Sequence, residues 1–181
     1  EMCIRDRYKI KEGFMKNKGF SLIELLVVLG IIGVLSSFIT PKVMVYMAKG
    51  KETKAVAVLE SLRTASQLYY LEEGETFIHG GTYGEVTVGQ LKKLEKYLSN
   101  NVESLIGTKE DSENVTVEIG GSKTGADSEE IKYGGEISFT TKAPKSLETD
   151  TKKSDGINIW FSKGKNEIND FNINGDKWTE I

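Results

Sequence analysis

The sequence predicts an α+β fold in which one long N-terminal helix, apolar in its first half and amphipathic in its second, lies on a small antiparallel sheet. Three observations carry that expectation. Residues 20–40 run for 21 positions with a single charge, Glu24. From Ala48 onward an apolar stripe recurs at helical spacing. Beyond Val115 the pattern changes to short β-rich runs separated by polar, glycine-bearing stretches.

The apolar run sets the first element. Twenty-one helical residues at about 1.5 Å each span about 30 Å, the thickness of a bilayer's hydrocarbon core. Its exit, Ser36-Ser37-Phe38-Ile39-Thr40-Pro41, lacks the small-residue pattern at which a secretory signal is cut, so the segment is expected to be retained. Pro41 removes one backbone hydrogen bond and should kink or loosen the helix. Gly30 and Gly33 weaken it by about 1 kcal/mol each relative to alanine, and they also admit close approach of a second helix in lipid. Glu24 is the oddity, because a carboxylate at mid-bilayer costs about 2.5–3.5 kcal/mol even on a lenient scale.

The second element continues the first. Ala48, Ala55, Leu62 and Tyr69 recur at sevens with Val58, Leu59 and Ala65 beside them, while Lys54, Glu60, Thr64 and Gln67 take other faces. Helix is expected to Glu73, with Gly74 as its stop. A second, shorter helix is expected within Thr87–Leu105, where Leu91, Leu94 and Leu98 repeat. Strands are expected at Val115–Ile119, Ile131–Thr141 and Ile157–Phe161, and a hairpin at Phe171–Trp178 around the Asn174-Gly175 turn. Gly120–Glu130 and Lys142–Asp155 are expected to be solvated loops.

Length and charge fit one modest domain plus an appendage: 181 residues with a formal net charge of -3. The single cysteine, Cys3, excludes an intrachain disulfide. Residues 1–14 show no usable periodicity, and EMCIRDR resembles translated sequencing-adapter sequence. Lys11-Glu12-Gly13 can be encoded by a ribosome-binding sequence ahead of Met15. Met15 is therefore expected to be the start, with residues 1–14 an artefact or untranslated leader.

The entrance to the apolar run reads Lys16-Asn17-Lys18-Gly19-Phe20-Ser21-Leu22-Ile23-Glu24. It closely resembles the prepilin signature of type IV pilins and of the pseudopilins of type II secretion systems. The likeness is specific over residues 15–45 and fades after that. It implies a pilin-like fold and a membrane peptidase that cuts after Gly19 and methylates the new amino terminus on Phe20. It also implies an assembly role for Glu24 and a helix bend at Pro41. The resulting organisation is a leader at 15–19, a transmembrane or fibre-core helix at 20–41, its amphipathic continuation at 42–73 and a globular α+β domain at 74–181.

Elementary electrostatics agrees with that implication. Cleavage after Gly19 would create an α-amino group four residues, about 6 Å along a helix axis, from Glu24. In a packed bundle an acid needs a partner, and a neighbour's Phe20 amine can supply one. Lys42, Lys49, Lys51 and Lys54 follow the span, which a positive-inside count would place in the cytoplasm. The resemblance implies the opposite, a single-pass protein of the cytoplasmic membrane with its C-terminal domain outside, later an extracellular or periplasmic filament, and that is the expectation adopted.

Competing chemistries find little support. His79, the only histidine, sits in a glycine-bearing loop without a signalled Ser/Asp or Cys partner, so no enzyme is expected. The acid pairs Glu72-Glu73, Glu110-Asp111 and Glu129-Glu130 fit solvated surface. Residues 1–19 carry six Lys/Arg against three Asp/Glu, leaving a net -6 on residues 20–181, and nucleic acid is not expected as a partner. No cofactor is expected apart from a candidate calcium loop. Asp170, Asn172, Asn174 and Gly175 match D-x-N-x-N-G, but the acidic twelfth position is Ile181 and Glu180 falls one place early. The resemblance adds that major pseudopilins carry a C-terminal calcium site; an Asn-Gly hairpin with polar residues outward is the alternative.

The expected function is a structural subunit of a type IV pilus-like filament. Its expected partners are copies of itself or other pilins, the prepilin peptidase, a membrane assembly platform, and lipid before assembly. Within the family the alternative is a pseudopilin of a type II secretion or DNA-uptake system. An alternative of another class is a membrane-anchored binding domain that never polymerises.

Overall fold

A computed structural model describes residues 19–78, 83–98, 110–144 and 154–181. The chain divides into two compact units, residues 1–40 and 41–181. Helix α1 (Leu22–Glu73) runs through both, with Pro41 inside it. It ends where the sequence predicts. Gly74 donates its N–H to the Tyr70 carbonyl at 3.0 Å and takes φ +72°, a left-handed conformation that glycine adopts without a Cβ penalty.

In the first unit the chain is helix from Leu22 onward, with an exposed surface throughout the described residues. Two of the three hydroxyls near its end are satisfied internally: Ser37 Oγ donates to the Val34 carbonyl at 2.7 Å and Thr40 Oγ1 to the Ser36 carbonyl at 2.8 Å. This back-bonding lets polar side chains sit in apolar surroundings without an unpaired donor.

The second unit is built on the amphipathic half of α1. Ala48, Ala55, Val58, Leu59, Leu62 and Ala65 are buried along one face, as their spacing predicts, and Tyr69 is half-buried. Two polar residues on the same face, Glu52 and Ser66, are buried as well. Strands β1 (Thr116–Glu118), β4 (Glu136–Thr140) and β5 (Trp160–Ser162) form an antiparallel sheet in the order β1-β4-β5. Strands β2 (Gly121–Ser122) and β3 (Lys132–Tyr133) form a separate antiparallel pair. The core joins the α1 stripe to Val117, Ile137, Phe139, Ile159, Phe161 and Trp178. Phe139 and Phe161 face each other across β4 and β5 at 5.6 Å, and Trp178 meets Phe161 edge-on at 5.5 Å. This is the α+β arrangement of one long helix on a small antiparallel sheet.

The structure departs from the sequence-based expectation at four places, one being that the strand expected from Ile157 begins only at Trp160. The second helix, α2 (Val88–Lys92), is one short turn followed by a 3-10 turn at Glu95–Tyr97; residues 99–105 lie outside the described residues. Its leucines are satisfied by burial rather than by helix length, because Leu91 and Leu94 both enter the core. The strand expected over Ile131–Thr141 is broken by Gly134 and Gly135, at φ +79° and +112°, which turn the chain from β3 into β4. The loop expected from Gly120 begins instead as strand β2, with Gly121 and Ser122 buried.

Gly120 explains that last departure. A Cβ there would lie 1.9 Å from the Ala48 carbonyl oxygen and 2.3 Å from the Ala48 Cα. The main chain entering β2 therefore touches the backbone of α1 directly, and only glycine permits that approach.

Candidate functional site

At the N-terminal end, Gly19 and Phe20 are exposed and non-helical, and Phe20 is 87% exposed. The helix begins at Leu22 because Ser21 caps it. Ile23 donates its N–H to Ser21 Oγ at 3.3 Å, and Ser21 donates its own N–H to Glu24 Oε2 at 2.8 Å. The second bond is one half of a capping box, the first caps the N2 amide rather than N3, and the string Ser-x-x-Glu before an apolar run signals such a start. That capping signal is absent from the expectation above. Within one chain Glu24 thus already holds the first turn, its carboxylate placed at the positive end of the helix. Its Oε1 makes no hydrogen bond among the described residues.

Behind this cap α1 is long and apolar enough to cross a membrane. Leu22, Ile23, Leu25, Ile31, Val34 and Phe38 are all more than half exposed. An alanine Cβ at Gly30 or Gly33 would meet nothing within 4 Å, so neither glycine is required by contacts inside the chain. Pro41 stands at the junction of the two units. Met15, the leader residues before Gly19, residues 1–14 and His79 lie outside the described residues.

The C-terminal loop has a different tie. Phe171 pairs with Lys177, Asp176 donates its N–H to Asn172 Oδ1 at 2.7 Å, and Gly175 takes φ +97° at the tip. Of the candidate calcium residues, Asp170 accepts from Lys163 Nζ at 2.5 Å, Asn172 Nδ2 donates to Asp176 Oδ2 at 3.1 Å, and Asn174 Nδ2 donates to Glu52 Oε1 at 2.7 Å. Among the described residues no group of three His, Cys, Asp or Glu is placed to hold a metal. The loop is clasped by α1. Buried Glu52 takes Asn174 on one oxygen and the Ile173 N–H on the other, at 3.0 Å.

Burial pushes the Glu52 carboxyl above its ordinary value, Asp176 adds to the rise, and the Ile173 and Asn174 hydrogen bonds and Lys49 oppose it. The folded state thus binds this proton more tightly than the unfolded chain. The contribution is fully present below the ordinary value of 4.5 and is lost as pH rises through the folded value. Denaturant melts of the detergent-solubilised chain should show stability falling across that window, and Glu52→Gln should flatten the fall. An unchanged pH slope in Glu52→Gln would remove Glu52 as its source.

Comparison with known proteins follows the same division. The family model for the prokaryotic N-terminal methylation motif matches residues 14–40. A fimbrial protein of Neisseria meningitidis serogroup B is 33% identical over 75 residues, 41% of this chain and 44% of that protein. A fimbrial protein of Pseudomonas aeruginosa is 41% identical over 58 residues, 32% of this chain and 38% of that protein. The type IV major pilin protein PilA of Myxococcus xanthus is 36% identical over 58 residues, 32% of this chain and 26% of that protein. The match thus spans less than half the length of each of these relatives. No solved structure matches the chain. The matched segment coincides with the entrance at Gly19-Phe20 and the apolar, exposed first half of α1. The N-terminal part of the chain thus carries the prokaryotic N-terminal methylation motif and is similar there to fimbrial proteins and type IV major pilins.

Proposed function

We propose that the chain is the structural subunit of a type IV pilus-like filament. It is made as a precursor, cut after Gly19 by a prepilin peptidase, methylated on Phe20, and drawn from the cytoplasmic membrane by an assembly platform. Before assembly its C-terminal domain stands outside that membrane, and afterwards it decorates the filament. The observation that carries this reading is the apolar first half of α1, exposed on all sides and bearing one acid four residues behind Phe20. Such a helix has no core of its own to enter, and copies of itself offer surroundings as apolar as lipid, so packing and the Glu24 charge can fix its register.

The matched relatives carry fimbrial and major-pilin names, which favours a pilus over the secretion pseudopilin. Mass spectrometry of the mature protein tests the reading. The expected N-terminal peptide begins with N-methylated Phe20. An uncut terminus upstream of Gly19 would instead support a membrane-anchored domain that does not polymerise.

A further inference from the structure

Asn174 is the one asparagine in the sequence followed by glycine. A glycine nitrogen, flanked by no Cβ, is the least hindered backbone nucleophile for the preceding side-chain amide. Asn174 is exposed at the tip of its turn, so water reaches it. Its amide is also the donor in the contact with buried Glu52. We propose that Asn174 is a site of spontaneous deamidation whose conversion releases the C-terminal loop from α1.

The chemistry needs only water. The Gly175 backbone nitrogen bonds to Asn174 Cγ, the Cγ–Nδ2 bond breaks, and ammonia leaves with the proton that the nitrogen loses. Water then opens the five-membered imide at either carbonyl, giving aspartate or isoaspartate. No electron is gained or lost. The Gly175 N–H donates to the Asn172 carbonyl at 3.2 Å, so the turn must open for the attack, and the fold sets the pace of the reaction.

The product cannot restore what it replaces. An acid at 174 has no Nδ2 donor for Glu52 Oε1 and brings a second negative charge to a buried carboxylate. Asp176 already acts on that carboxylate with the same sign, against Lys49 alone on the other side. The isoaspartate form also lengthens the main chain within a turn closed by the Asn172 N–H to Asp176 carbonyl bond at 2.8 Å.

The test is to age the purified full-length chain in detergent at mildly alkaline pH and map the products by peptide mass spectrometry, with hydrogen exchange read at Ile173. Acid is expected to accumulate at 174 faster than at Asn158, Asn166 or Asn169. In Asn174→Asp the Ile173 amide should exchange about fivefold faster or more, the equivalent of one net hydrogen bond, while Asn174→Gln ages without that change. The proposal fails if residue 174 keeps its amide while a control asparagine converts. It also fails if Asn174→Asp protects Ile173 as well as the parent does.

Discussion

Gly120→Ala is expected to destabilise the folded domain by about 3 kcal/mol, at the upper end of what overpacking ordinarily costs. The new methyl carbon would stand 1.9 Å from the carbonyl oxygen of Ala48 and 2.3 Å from its carbonyl carbon. Both obstacles are main-chain atoms in the middle of a helix, so no rotamer change relieves the clash. Relief requires moving the chain entering β2 away from α1, which loosens the packing around Ala48 and Ile119, both buried. Gly125→Ala is the matched control, because nothing lies within 4 Å of its added carbon, and it should change stability by less than about 0.5 kcal/mol. Denaturant melts of the two variants in the full chain compare the effects directly. Equal stabilities would show that the helix and β2 can part without cost.

Glu24 carries the second large effect, and two substitutions separate its two roles. Within one chain its carboxylate accepts the Ser21 N–H, a capping contribution of about 0.5–2 kcal/mol. In a filament, loss of its charge opposite a neighbour's Phe20 amine would leave a buried cation uncompensated, at about 3–5 kcal/mol per subunit. Glutamine serves the cap as well as glutamate does but carries no charge. Glu24→Gln should therefore keep the helix start, read by hydrogen exchange at Ser21, and lose fibres in electron micrographs of surface preparations. Glu24→Ala should lose both. Fibres in normal number from Glu24→Gln would mean that the hydrogen bond matters to assembly and the charge does not.

Much of this architecture was legible because it rests on repetition. The α1 stripe recurs at every turn, so each of Ala55, Leu59 and Leu62 confirms the others, and Gly74 ends the helix by a local rule. The prepilin signature was legible for a similar reason, as several independent residues fall in a fixed order. What was illegible depends on single residues meeting across the fold. Spacing puts Glu52 on the stripe and Glu60 off it, but nothing local names what satisfies a carboxylate there: Glu52 is buried under the C-terminal loop, while Glu60 pairs with Arg63 at the surface. Gly120 reads as loop by composition, and its reason for being glycine lies 72 residues earlier, at Ala48. The Ser21 cap is a local signal, and its reading was displaced by the intermolecular role the family likeness implies for Glu24.

The ties between α1 and the rest of its unit also have a mechanical meaning. Glu52 holds Ile173 and Asn174, Arg63 Nε and Nη2 donate to the Ile159 and Ile181 carbonyls, and Ser66 Oγ donates to the Ile157 carbonyl. From Glu52 to Ser66 these attachments are spread over about 21 Å of helix. A pull directed along the helix axis would load them in shear, all at once, together with the buried stripe between them. The sheet would have to slide off as a body, since no single bond can be picked open first. A domain so fastened resists tension best along the direction in which its own helix points.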